Sequence, residues 1–180
     1  MKILENNIVK LRALEPSDID LLYKWENDTS IWQVSNSFVP FSRYILQKYI
    51  ENSHQDIYQA KQLRLMIDIK TDDPDRSKTI GSIDLFDFDP FHKRAGVGIL
   101  IGDKKNRNKG YASAALDVLI NYAFNILNLH QLYCNINADN ENSLQLFKKH
   151  GFEIVGVKKD WIKCFDGWIG EYLLQLINTA

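Results

Sequence analysis

The sequence predicts an α/β fold of the α+β kind, a mixed central β-sheet flanked by helices. It is expected to form a single domain over residues 1–180, with its core at about 8–177. Three observations predict this. The N-terminal half reads as a strand, helices and then an antiparallel meander. The C-terminal half reads as helix, strand, helix, strand. A chain of 180 residues with 45% hydrophobic composition also has enough material for a substantial core.

Ile8 to Leu11 is a short strand, and Glu15-Pro16-Ser17-Asp18 is a turn-and-cap signal. A helix follows from about Ser17 to Asn27, with Ile19, Leu22 and Tyr23 at helical spacing. A second helical piece begins near Ser30, and a third runs from Ser42 to about Ser53 with Ile45, Leu46, Tyr49 and Ile50. Arg64 to Ile69 is a strand, Thr71 to Ser77 a polar turn, and Ile80 to Phe88 the next strand. Asp89-Pro90-Phe91-His92 turns the chain into a strand that ends at Ile101. Ala112, Ala115, Leu116, Leu119, Ile120, Ala123, Phe124 and Leu127 form one apolar face of a long helix. Leu132 to Asn137 alternates as a strand does, and Asn140 caps a helix that Gly151 closes. Glu153 to Val157 and Trp168 to Ile177 are the last strands, with Phe165-Asp166-Gly167 as the turn region between them.

With 22 basic and 23 acidic residues the formal net charge is −1, so no global field draws nucleic acid or an anionic membrane. No apolar run approaches a membrane span, and Met1 to Leu14 is mixed and charged, unlike a leader. Cys134 and Cys164 form no close pair, and a cytoplasmic protein is expected. His54, His92, His130 and His150 lack metal-ligand spacing, so no metal is expected.

The most informative stretch is Arg107-Asn108-Lys109-Gly110-Tyr111-Ala112, between the apolar run Val97–Gly102 and the long helix. The first amides of a helix have no internal partner and carry partial positive charge, which suits a phosphate. Gly110 allows close backbone approach, while Arg107 and Lys109 add cationic donors. The stretch lacks the glycine patterns of dinucleotide folds and P-loops. It resembles the Arg/Gln-x-x-Gly-x-Gly/Ala motif of the GNAT superfamily of N-acetyltransferases, whose loop holds the pyrophosphate of acetyl-coenzyme A. A second segment is similar to the GNAT pattern Asn-x-x-Ser-x-x-Leu-Tyr-x-Lys-x-Gly-Phe, matched at Asn140, Ser143, Leu146, Lys149, Gly151 and Phe152.

The resemblance implies a GNAT-like sheet and acetyl-CoA as co-substrate. Arg107, Asn108, Lys109, Gly110, Tyr111 and Ala112 would hold it, with Asn140, Ser143, Phe147 and Lys149 of the second motif. Main-chain amides near Ile99, Leu100 and Ile101 would meet the oxyanion, on a strand that splays from its neighbour in the family. Many relatives carry tyrosine where this chain has Phe147, which has no proton to donate. Ser143, four residues earlier on the same face, is either the acid for the leaving thiolate or only a cap; Tyr133 is a weaker acid candidate. Arg94-Ala95-Gly96-Val97-Gly98 resembles a stretch of the family with Gly96 where a carboxylate often stands. The remaining bases are Asp84 and Asp87, on opposite faces of a regular strand, or a water chain. Asp87 is preferred because similar polyamine acetyltransferases place an acid there.

For the acceptor, Glu26, Asp28, Trp32, Phe86 and Asp87 are candidates for an acidic, aromatic site that takes a cation. Each residue alone reads more simply as core or as solvated surface. The chain is similar to two GNAT branches, the spermidine acetyltransferases and the ribosomal-protein N-terminal acetyltransferases. A polyamine-like small amine is favoured over a peptide N-terminus. An aminoglycoside acceptor and a non-catalytic acyl-CoA sensor are the alternatives. The resemblance is also compatible with a homo-oligomer.

Overall fold

The computed structural model describes residues 3–35, 37, 39–71, 73 and 77–179. Positions 72 and 74–76 of the expected polar turn, together with Met1, lie outside the described residues.

The strands are β1 (Val9–Ala13), β2 (Leu63–Ile69), β3 (Lys78–Asp89), β4 (Arg94–Ile101), β5 (Gln131–Asn137), β6 (Glu153–Cys164) and β7 (Gly167–Ile177). They form one sheet in the order β1-β2-β3-β4-β5-β7-β6. All neighbours are antiparallel except β4 and β5, so the sheet is mixed. The helices are α1 (Ile19–Glu26), α2 (Thr29–Ser35), α3 (Arg43–Glu51), α4 (Ile57–Ala60), α5 (Tyr111–Asn125) and α6 (Glu141–Lys149).

Alternation along β2 shows how both faces are covered. Leu65 and Ile67 join the large core that includes Leu116, Leu119 and Ala123 of α5, whereas Met66 packs with Leu22, Trp25, Leu46 and Ile50 of α1 and α3. A strand buried on both faces loses the polar alternation of a surface strand, as Leu63–Ile69 does. Arg12 ties the first strands together, bonding Asp18, Asp68 and Thr79 at 2.7–2.8 Å.

Three features depart from the sequence expectation. The β6 strand continues to Cys164, well past Val157, because its partner β7 supplies hydrogen bonds that the polar Lys158–Lys163 stretch does not advertise. A short helix, α4, follows Asp56, whose side chain caps it by accepting from Tyr58 and Gln59. The β3 strand is not regular: its register shifts between Phe86 and Asp89, and Asp87 has a φ of 48°.

One feature positions the site. The parallel ladder between β4 and β5 contains only Arg94–Gln131, Ala95–Leu132 and Gly96–Tyr133. Beyond Gly96 the two strands part, and the β4 edge from Val97 to Ile101 opens onto a cleft.

Candidate active site

Two cavities meet at this parting. The first, about 380 Å3, is bounded by Ile99–Ile101, the loop after β4 and the starts of α5 and α6. The second, about 420 Å3, runs from Val97–Leu100 across β2, β3, β5 and β7. They share Ile31, Ile99, Leu100, Asn140 and Ser143.

Backbone builds the first cavity. After Ile101 the chain makes a short 3-10 turn, then passes through left-handed conformations at Asn108 (φ 59°) and Gly110 (φ 83°) into α5. Nothing lies within 4 Å of where a Cβ of Gly110 would stand, so the turn leaves open space in front of the first α5 amides. Arg107 lines this cavity but bends back, donating from Nε to the Ile101 carbonyl at 3.1 Å and from Nη2 to the Gly102 carbonyl at 3.2 Å. It therefore braces the loop against the end of β4. Asn106 is 7% exposed, and its carboxamide nitrogen has no hydrogen-bond partner among the described residues. A buried donor left over at the wall of an anion-suited cavity fits a phosphate-bearing ligand.

Of the residues expected to hold the co-substrate, Ile99, Leu100, Ile101, Arg107, Asn108, Gly110, Tyr111, Ala112, Asn140 and Ser143 line this cavity. Lys109 is exposed and stands outside it. Phe147 is buried edge-on against Phe152 and faces the second cavity instead. Lys149 lies behind the first cavity, its Nζ 3.3 Å from Ser113 Oγ. Ser113 lines the cavity and was not anticipated from the sequence.

Asn140 caps α6, its Oδ1 accepting from Ser143 N at 3.2 Å. Capping therefore falls to Asn140, and the Ser143 hydroxyl makes no hydrogen bond among the described residues. That hydroxyl borders both cavities.

Side chains from distant segments build the second cavity. Arg64 on β2 donates from Nε to Asp84 at 2.7 Å and from Nη1 to Glu26 at 3.0 Å, with its guanidinium over the Tyr49 ring. The two carboxylates hold the Arg64 pKa above its ordinary value against the opposing effect of burial. Glu171 on β7 is 4% exposed and accepts from Lys158 Nζ at 2.6 Å. Cys134 is buried in the cavity floor, and burial pushes its thiol up to about 12.

At the expected carboxylate position, Gly96 pairs with Phe86, and a Cβ there would stand 2.3 Å from the Phe86 ring. The ring occupies the space a side chain at 96 would need. Of the two aspartates, Asp84 faces the cavity and is held by Arg64. Asp87, preferred from the sequence, is exposed at the bulge and does not line the cavity, because the irregular backbone turns it outward. It accepts from the Tyr133 hydroxyl at 3.2 Å, and burial together with Asp87 pushes the Tyr133 phenol up to about 12.

Glu26 and Phe86 line the second cavity, as expected of acceptor residues. Asp28 does not: it is half-buried, accepts from the Ser30 amide, and has its pKa lowered chiefly by Ser30, with smaller contributions from Lys104 and Arg107. Trp32 also stands outside, donating from its indole to the Glu26 carbonyl at 2.8 Å. Sequence reasoning missed Arg64, Ser82 and Glu171, all of which line the second cavity. A lone charge inside the apolar run Gly167–Ile177 was the available signal for Glu171, and Arg64 was one of two charges, with Asp68, in the apolar run Leu63–Ile69.

Comparison with known proteins bears on the same two motifs. A sequence model described as an acetyltransferase (GNAT) domain matches residues 9–153. The spermidine N(1)-acetyltransferase of Escherichia coli K12 is 26% identical over 148 residues, covering 82% of this chain and 74% of that protein. The crystal structure of spermidine N-acetyltransferase from Vibrio cholerae with CoA and spermine superposes with a TM-score of 0.84 at 21% identity, covering 96% of each chain. A dodecameric structure of the Vibrio cholerae enzyme in an intermediate state gives a TM-score of 0.78 at 22% identity, covering 96% of this chain and 95% of that one.

Proposed function

This chain belongs to the GNAT acetyltransferase family and is an acetyl-CoA-dependent N-acetyltransferase, and from that premise we propose that its acceptor is a polyamine-like primary amine. One observation carries the reading: the second cavity is lined by Glu26, Asp84 and Glu171, and with Arg64 pairing the first two and Lys158 pairing the third, one carboxylate stands in excess. A carboxylate-rich, partly enclosed cavity attracts a cation more strongly than open solvent does. Trp25 and Phe86 add aromatic walls for the methylene segments of such a chain. The spermidine acetyltransferases similar to this chain support the same class.

In this reading the acyl chain enters from the first cavity and the amine from the second, meeting at Leu100 and Ser143. Free amides on the β4 edge past Gly96 receive the oxyanion as the amine attacks the acetyl carbonyl. Ser143 donates a hydrogen bond to the departing thiolate, directly or through water, and passes on to it a proton that the attacking amine nitrogen releases, keeping its own hydroxyl protonated. The ammonium, with a reference pKa of ~10.4 for a lysine-like amine, must first lose a proton. Asp84 already accepts from Arg64, so a water beside it, rather than the carboxylate alone, relays that proton. Asp87 acts with Tyr133 at the outer end of this route. Self-association is part of the proposal: Val155, Val157, Trp161 and Trp168 leave an exposed apolar surface along β6 and β7 for a second copy. The unpaired cysteines are consistent with a cytoplasmic setting.

Free-thiol release from acetyl-CoA is the test, run with spermidine, spermine, basic peptides and aminoglycosides. Turnover confined to the polyamines is expected. Turnover with peptides alone would overturn the acceptor, and binding of acetyl-CoA without turnover of any amine would leave a sensor.

A further inference from the structure

Behind the first cavity, between α5 and α6, lies a relay that the acetyl transfer does not use. Ser113 Oγ is 2.9 Å from His150 Nε2, and His150 Nδ1 is 2.9 Å from Asp117 Oδ1. Lys149 Nζ donates to the same Ser113 Oγ at 3.3 Å. The His150 side chain is 6% exposed, whereas Asp117 is largely in solvent. Ser113 is the one member of the group that lines the co-substrate cavity, and it lies in the first turn of α5.

Proton counting restricts what this group can present to a ligand. The Asp117 carboxylate only accepts, so Nδ1 of His150 carries a hydrogen in either charge state. In neutral His150, Nε2 is then bare and must accept the Ser113 proton. The hydroxyl hydrogen points away from the cavity, which faces only an oxygen lone pair. In protonated His150, Nε2–H donates to Ser113 Oγ, and Lys149 occupies the second lone pair. The Ser113 hydrogen is then free to turn into the cavity. A phosphate oxygen accepts and does not donate at neutral pH, so it is compatible with the second arrangement and opposed by the first.

We propose that a phosphate group of the co-substrate binds at Ser113 by drawing one solvent proton onto His150, with Asp117 and Lys149 fixing the direction of the relay. His150 is thus a positioning residue that acts through Ser113. The proposal rests on the acetyl-CoA reading of the first cavity. Asp117 and Lys149 are the charged groups that share the outer depression with His150; its other walls are Ile120, Phe124 and the neutral Asn121, Asn125 and Asn178. The phosphate raises the proton affinity of His150 in the complex. The added affinity is therefore fully present at low pH and is lost as pH rises through the range where a bound imidazole titrates.

Calorimetric titration with coenzyme A, in paired buffers of low and high ionisation heat between about pH 6 and pH 8, tests this on the full chain. Wild type is expected to take up a fraction of a proton on binding, with Kd rising by up to about tenfold per pH unit. His150→Gln and Ser113→Ala are expected to bind with that excess uptake abolished; Ser113→Ala supplies the answer if the histidine variant does not fold. The ribose 3′-phosphate also titrates, so the difference in uptake between wild type and the two variants is read both with and without that phosphate. Coenzyme A lacking that phosphate distinguishes the source. Uptake that persists places the pyrophosphate at Ser113, and uptake that vanishes places the ribose phosphate there. Equal uptake in wild type and both variants, with binding intact, overturns the relay while leaving the acetyl-CoA reading standing. Absence of binding by folded wild type overturns both.

Discussion

The two cavities that meet at Leu100 and Ser143 are made of different material. The first is backbone: a strand end, two left-handed residues and two helix starts, with Arg107 serving as a brace for the loop. The second is side chain: Glu26, Arg64, Asp84 and Glu171 come from α1, β2, β3 and β7. A backbone site tolerates change in many side chains provided the turn survives. A side-chain site depends on the balance of charge among a few residues, and altering one leaves the others uncompensated.

The strongest challenge to this contrast is Arg64→Met. It leaves Glu26 and Asp84 facing each other unpaired; because the arginine side chain is 20% exposed, solvent softens the cost to about 2 kcal/mol. A fall in Tm of roughly 4–8 °C is expected by calorimetry, and an unchanged Tm would mean the carboxylates do not depend on Arg64. On the backbone side, Gly110→Val forces a β-branched residue to φ 83° with no steric neighbour to blame. Coenzyme A should bind about tenfold more weakly, and wild-type affinity would show that the left-handed turn is dispensable.

Alkaline stability sharpens the contrast from the acceptor side. The Cys134 thiol keeps its proton in the fold up to about 12, whereas an exposed thiol loses it near ~8.5. The folded form then holds more protons, so stability is full at neutral pH and falls by about 1 kcal/mol per pH unit above the unfolded value. Urea titrations should show Cys134→Ala losing that part of the slope; equal slopes would assign it elsewhere. The smallest effect is expected where the cavities join. Ser143→Ala should lower kcat by roughly threefold to tenfold with coenzyme A affinity unchanged. Stability should hold, because Asn140 supplies the cap. Unchanged kcat would relieve Ser143 of any role in proton transfer.

The same division explains what could be read from the sequence. Arg107–Ala112 and Asn140–Phe152 are contiguous, so their spacing carries the first cavity almost whole, and the helix periodicity and apolar runs carry the sheet. Glu171 and Arg64 are 107 positions apart in sequence, and no local pattern brings them together. Asp87 was misplaced for a similar reason. Strand alternation allows only one of Asp84 and Asp87 to face the cleft, and the family resemblance favoured Asp87; the structure puts Asp84 there, and the irregular backbone beside Phe86 leaves Asp87 in solvent. Beside it the Phe86 ring fills the space over Gly96, a packing that neither residue discloses alone.

The three-pair ladder between β4 and β5 has a mechanical consequence as well. Between four strands on one side and three on the other the ladder holds only Arg94–Gln131, Ala95–Leu132 and Gly96–Tyr133, with the Lys93 carbonyl accepting from His130 and Gln131 at its near end. Such a seam can breathe without melting either half, as a hinge between two stiff plates. Amides along those three pairs should exchange with solvent sooner than those of the β2–β3 pair, and a ligand lodged in the cleft would act as a wedge that holds the plates at one angle.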